Sequence, residues 1–227
     1  MNKTLLQINT SLFSDAGTSS GLANDFVAGW KKHNPAATVI VRDFAKEPVP
    51  HLTAERFQAF ITKPEERNAS QRAEAAYSDA LIDELKRADV IVLGVPMYNF
   101  DVPSTLKAYF DHIARAGVTF SYTAQGPVGR LTGKKVYVFA TRGGIYAGKP
   151  HDTQTAYLKN FLGLLGITDI EFVYAEGIAI SPESKQASLA QAHRAVAQLN
   201  ALPLAEKMLV FSCRTVFMWA SLVAMAH

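Results

Sequence analysis

Cysteine is almost missing from this chain. Its 227 residues hold one, Cys213, so no disulfide framework organises the fold. The six histidines are scattered, and no His/Cys/Asp/Glu group shows the spacing of metal ligands. Charge of one sign is also lacking: 23 Lys and Arg stand against 20 Asp and Glu, a net charge of +3. With no block of basic residues, a nucleic-acid surface is excluded. Gly-x-Gly-x-x-Gly occurs nowhere, and the loop after the first strand-like run has no lysine. A dinucleotide fingerprint and a nucleoside-triphosphate loop are therefore excluded as well. The opening Met1-Asn2-Lys3-Thr4-Leu5 has no apolar signal core, and the near absence of cysteine agrees with a cytoplasmic location. No internal repeat or low-complexity tract interrupts the chain.

What is present is alternation. Short apolar runs at Thr4 to Ile8, Thr38 to Arg42, Asp89 to Leu93, Lys135 to Ala140 and Ile170 to Tyr174 read as strands. Helical patterns lie between and after them, at about Ser20 to His33, Gln71 to Arg87, Thr105 to Ala116, Thr153 to Gly163 and Glu183 to Asn200. Repeated β-α units require a parallel sheet with right-handed crossovers. The expected fold is α/β, a doubly wound flavodoxin-like sheet of order 2-1-3-4-5, in one domain over residues 1–202. Phe44 to Glu66 reads as a long irregular connection, because Pro48, Pro50 and Pro64 break it. Residues 203–227 form an atypical apolar extension, in which Met208 to Ala226 carries one charge, Arg214. That arginine and the lack of flanking basic residues argue against a membrane span.

Three loops at the carboxyl ends of the strands carry the functional signal, since ligands of open α/β sheets bind there. The first includes Thr10, Ser11, Gly17, Thr18 and Ser19 and runs into a helix. Hydroxyls and free amides at a helix N-terminus suit a phosphate; the same serines also suit simple capping. The second is Pro96-Met97-Tyr98-Asn99-Phe100, where two flat apolar rings flank an amide side chain. A planar heteroaromatic ring with polar edges fits such a loop, and a flavin has that form. The third is Thr141-Arg142-Gly143-Gly144, whose paired glycines allow a ligand close to the backbone. Arg142 and Arg130 read either as contacts for a cofactor 2′-phosphate or as solvated surface charges. In the expected strand order the three loops are neighbours, and FMN lying across the sheet edge would touch all of them.

Met97-Tyr98-Asn99-Phe100, the stretch Lys107 to Phe120 with its Ala-Arg-Ala-Gly-Val-Thr-Phe, Thr132-Gly133-Lys134-Lys135 and Thr141-Arg142-Gly143-Gly144 resemble the FMN-dependent NADH-azoreductases, also described as NADH:quinone oxidoreductases. The resemblance covers residues 3–200 and implies that NADH or NADPH reduces quinones and azo compounds through bound FMN. It implies FMN phosphate contacts at Thr10 or Ser11 with Gly17, Thr18 and Ser19, and ring contacts at Met97 to Phe100 and Thr141 to Gly144. It also implies a homodimer with FMN near the interface and a substrate pocket lined by Tyr122 and Phe161. No side-chain nucleophile or acid–base pair is implied, since the chemistry rests on the flavin. The competing reading is a flavodoxin-like electron carrier without its own small-molecule substrate, and the lack of a strongly acidic face speaks against it.

Overall fold

In the computed structural model, which describes residues 2–201, five parallel strands form one sheet. They are β1 (Thr4–Asn9), β2 (Thr38–Asp43), β3 (Val90–Pro96), β6 (Lys135–Thr141) and β7 (Asp169–Ala175). Their order is β2-β1-β3-β6-β7, the expected flavodoxin-like arrangement. The two intervening strands, β4 (Phe120–Thr123) and β5 (Gly126–Gly129), form a separate antiparallel hairpin that was not expected. The helices are α1 (Thr18–His33), α2 (Ala54–Ile61), α3 (Ala69–Arg87), α4 (Ser104–Ile113), α5 (Thr153–Leu164) and α6 (Pro182–Ala201). The apolar extension at 203–227 lies outside the described residues, and within them no helix is long and apolar enough to cross a membrane.

The period-2 alternation of strand side chains divides the core into two layers. Leu6, Ile8, Ile91, Leu93, Val136 and Val138 point to one face, where α3, α4 and α5 bring Leu81, Leu85, Tyr109, Phe110 and Leu162. Leu5, Val90, Val92, Tyr137 and Phe139 point to the other, against Leu22, Phe26 and Trp30 of α1 and Val196 of α6. Truncating one of the buried aromatics to alanine costs about 3–5 kcal/mol in such a core. Helix ends follow the sequence where caps exist. Asn68 and Gln71 form a reciprocal capping box at the start of α3.

The connection from Phe44 to Glu66 is not irregular throughout. Thr53 accepts a hydrogen bond from the Arg56 amide and starts α2, which buries Ala59. A further single turn follows at Pro64–Glu66. Prolines close outside the helix ends do not prevent eight residues from coiling between them.

Arg142 is the largest wholly buried side chain among the described residues. It is 0 % exposed, so neither of the expectations for it, a 2′-phosphate contact or a solvated surface charge, holds for the side chain. A guanidinium away from water must be surrounded by acceptors. Its Nη2 meets Asp152 Oδ1 at 3.0 Å and donates to Thr155 Oγ1 at 2.7 Å. Its Nη1 donates to Glu176 Oε1 at 3.1 Å, Nε donates to Gln154 Oε1 at 3.2 Å, and the Tyr174 ring covers the guanidinium at 4.8 Å. Arg130 lies on the surface and donates to Ser121 Oγ at 2.9 Å and to the Gly117 carbonyl.

Burial pushes the Asp152 carboxyl up, but the Thr155 hydroxyl and amide and the Arg142 guanidinium outweigh it and hold it below the usual carboxylate range. A carboxylate with a lowered folded-state pKa stabilises fully above its unfolded pKa, about 4, and loses that contribution as the pH falls through the folded value. Asp152→Asn is expected to lower the unfolding free energy by about 1–3 kcal/mol at neutral pH, the usual scale of a hydrogen bond to a charged group. Denaturant titrations across pH should show the gap to wild type closing below about pH 4. A gap that persists unchanged at pH 3 would contradict the pairing.

Candidate active site at the sheet edge

The first loop is built on β1 and β3. Thr10 donates through its amide and its hydroxyl to the Gly94 carbonyl, at 3.1 and 2.8 Å. Its hydroxyl proton is therefore committed inside the fold, and Thr10 is not the residue that donates to a phosphate. Ser11 differs, because its Oγ accepts from the Phe13 amide at 3.2 Å and keeps its own proton to give. Gly17 is required beside it, since a Cβ there would collide with the Ser11 side chain. Gly94 is required beneath, since a Cβ on β3 would sit 3.0 Å from the Ser19 carbonyl oxygen. The first turn of α1 thus leans directly on the sheet backbone.

That turn has the properties of an anion site. Its first helical bond runs from the Gly21 amide to the Gly17 carbonyl at 2.9 Å, so the preceding amides have no partner within the helix. Ser19 Oγ and Ser20 Oγ are buried without a hydrogen-bond partner, which a native fold tolerates rarely and a bound phosphate would correct. Ser20, absent from the expected contacts, belongs with Ser19; a run of two serines behind Thr18 was the available signal.

The aromatic loop after β3 is a tight turn. Tyr98 and Asp101 exchange both amide hydrogen bonds at 3.1 Å, and Asn99 and Phe100 between them have φ of 51° and 68°. Positive φ at both central residues is the signature of a type I′ turn. Asparagine tolerates that region and phenylalanine does not, which places strain of about 1 kcal/mol at Phe100. The result is a loop that holds the Asn99 amide and the half-exposed Phe100 ring at the surface of the sheet edge.

The glycine loop sits against it. The Met97 amide donates to the Thr141 carbonyl at 2.8 Å, and the Phe100 and Tyr146 rings meet edge to face with centroids 5.6 Å apart. Glu176 Oε1, besides pairing with Arg142, accepts from the amides of Tyr146 and Ala147 at 2.8 and 2.9 Å and fixes the far end of this loop. The carbonyls of Arg142, Gly143 and Gly144 are taken by the amides of Ile178, Ala179 and Gly177. The amides of Gly143 and Gly144 take no acceptor among the described residues. A Cβ on Gly144 would stand 2.8 Å from the Tyr146 hydroxyl, so a larger residue there would have to displace the Tyr146 ring.

The first and second loops also touch, through the Leu12 amide and the Tyr98 hydroxyl at 3.4 Å. A cleft of about 870 Å³ opens beside the aromatic turn, lined by Leu12, Met97, Tyr98, Asn99, Lys107 and Tyr157 among others; neither Ser19 and Ser20 nor the glycine loop lines it. That is the size of a ligand site. The expected pocket residues fall elsewhere. Tyr122 is 75 % exposed on the β4–β5 hairpin, and Phe161 stacks on Phe110 at 3.9 Å beside the core. Within one chain neither lines the cleft.

The strained turn has a measurable consequence. In flavin-free protein, Phe100→Gly is expected to match or exceed wild type in denaturant stability, within about 1 kcal/mol, because it removes the left-handed strain. Phe100→Val is expected to lose about 1–2 kcal/mol, since a β-branched residue fits that region worst. A valine variant as stable as wild type would show that the turn does not hold this geometry.

Comparison with known proteins agrees with this architecture. Residues 3–199 match a family described by its flavodoxin-like fold. An FMN-dependent NADH:quinone oxidoreductase of Cellvibrio japonicus (strain Ueda107) is 63% identical over 175 residues, covering 77% of this chain and 88% of that protein. One from Burkholderia thailandensis, of the same name, is 54% identical over 194 residues, covering 86% of this chain and 98% of its own. The azoreductase from Bacillus anthracis str. Sterne superposes with a TM-score of 0.80 at 26% identity, over 88% of this chain and all (100%) of that one. An FMN-dependent NADH-azoreductase from Bacillus anthracis str. Ames Ancestor, solved in complex with FMN, gives a TM-score of 0.77 at 27% identity, over 87% of this chain and 99% of that one. The chain belongs to this flavodoxin-like family and, within it, to the FMN-dependent NADH:quinone oxidoreductases.

Proposed function

We propose that the protein is an FMN-dependent NADH oxidoreductase that reduces quinones and azo compounds, acting as a cytoplasmic homodimer. The observation that carries this reading is the pair of buried, unpartnered hydroxyls of Ser19 and Ser20 at the sheet edge where the two ring loops meet. A phosphate belongs at that helix end, and a flat ring belongs between the aromatic turn and the glycine loop. FMN has both parts.

Ser11, Ser19, Ser20 and the amides of Thr18 to Ser20 would hold the phosphate. Asn99 and Phe100 would meet one polar edge of the ring, and the Gly143 and Gly144 amides the other, where donors stabilise gathering negative charge. Bound FMN would supply two-electron hydride chemistry between NADH and a quinone or azo acceptor, with solvent supplying the protons. The chain's own part is to bind, orient and shield the ring. The arginine of the glycine loop, being buried, offers no side-chain contact to a 2′-phosphate, whereas Arg130 lies on the surface. Exposed Leu12, Phe13 and Phe100 beside the site, with Tyr122 on the hairpin, support a partner subunit that covers this edge and completes the pocket.

The test is a visible spectrum of the purified full-length chain with FMN, repeated anaerobically with NADH and then with a quinone. The expected result is protein-bound flavin bands that bleach with NADH and return with the quinone. Bound flavin that NADH leaves unreduced would replace the reductase with an electron carrier, and absence of bound flavin would refute the site.

A further inference from the structure

Gln154 is the second residue of α5 and is 0 % exposed. A buried primary amide must place two donors and an acceptor. Its Nε2 donates to the carbonyls of Pro96 at 3.1 Å and Asp101 at 3.2 Å. These are the last residue of β3 and the closing residue of the aromatic turn. One amide group therefore clasps both ends of the segment holding Met97, Tyr98, Asn99 and Phe100. Its Oε1 faces the other way and accepts from Arg142 Nε at 3.2 Å, at the root of the glycine loop. The neighbouring Thr153 hydroxyl donates to the Phe100 carbonyl, so the first turn of α5 grips the aromatic turn at three carbonyls.

We propose that Gln154 is the positioning residue that fixes the aromatic turn against the glycine loop, and with it the surface on which the flat ring would lie. The role rests on the flavin reading above, but the clasp itself is independent of ligand. Left-handed Asn99 and Phe100 persist only where the surroundings over-determine them. Here the Asp101 carbonyl is held twice, by the Tyr98 amide and by Gln154. Loss of Gln154 removes a donor from the Pro96 carbonyl, leaves the Asp101 carbonyl to the Tyr98 amide alone and takes the acceptor from Arg142 Nε, and the turn is then free to relax toward ordinary backbone geometry.

Hydrogen exchange on the flavin-free, full-length chain tests this with Gln154→Leu and Gln154→Glu. The Tyr98 and Asp101 amides are expected to exchange at least about tenfold faster in both variants, the effect of losing one to two hydrogen bonds, while β1 amides exchange as in wild type. Gln154→Glu keeps the acceptor for Arg142 and should leave the Ile178 amide, bonded to the Arg142 carbonyl, protected; Gln154→Leu should loosen it too. Both variants should bind FMN about tenfold more weakly, with the visible bands of bound flavin displaced from their wild-type positions. Thr153→Val, at an exposed position, removes the Phe100 contact alone and should reproduce the local pattern at smaller size even where a Gln154 variant fails to fold. Exchange at Tyr98 and Asp101 within about twofold of wild type, or a rise spread equally over β1, would overturn the role. A wild-type chain that takes up no FMN would overturn the flavin reading alone, because the exchange comparison is made without flavin.

Discussion

A guanidinium with no water around it dictates much of what surrounds it. Arg142 leaves the sheet at the end of β6 and turns inward, so two carboxylates, an amide and a hydroxyl must come to it, from Asp152, Gln154, Thr155 and Glu176. Those groups belong to the start of α5 and the end of β7. Recruiting them fixes how α5 approaches the sheet edge, and α5 in turn fixes the aromatic turn through Gln154 and Thr153. Glu176 passes the constraint onward to the amides of Tyr146 and Ala147. The surface where a ring would lie is soft in sequence, with glycines, a tight turn and exposed aromatics. It stands on a rigid charged lattice one layer below.

The phosphate end of the site has a different origin. It follows from the first crossover of the sheet, in which α1 begins where β1 ends and its free amides face the edge. Close approach of the Ser19 carbonyl to Gly94, and of Ser11 to Gly17, sets that helix start against the sheet. The buried hydroxyls of Ser19 and Ser20 have no partner of their own and can donate to an acceptor that arrives there. The two ends are joined by β3, which carries Gly94 beneath α1 and Pro96 at the root of the aromatic turn.

The sheet was legible in sequence because its strands are short apolar runs separated by helices of clear period, and strand order followed from that alternation together with the strand-end loops after the first, third and fourth strands. The three loops were legible because each follows a strand that the pattern marks strongly. What escaped has physical reasons. Ala54–Ile61 coils in eight residues between prolines, and its cap, Thr53, is a common residue with no partner visible in sequence. The β4–β5 hairpin contains Gly126, Pro127 and Gly129, residues poor in strand propensity. An arginine ahead of two glycines looks like a surface charge; its burial depends on acceptors that join it only through folding. Gln154, in a Thr-Gln-Thr sequence at a helix start, gives no local sign that its amide is spent on carbonyls some 50 residues away, with separations of 53 and 58. Neither Tyr122 nor Phe161 joins the cleft of the single chain, and their placement belongs with the dimer of the proposed function.

The most direct test of the central claim, that one flavin lies across three loops of the sheet edge, is the hydrogen-exchange footprint of FMN on the wild-type chain. The expected result is protection that appears together, at one flavin concentration, in the amides of Thr18 to Ser20, of Asn99 and Phe100, and of Gly143 and Gly144. Protection confined to a single loop, or found away from this edge, would contradict the account.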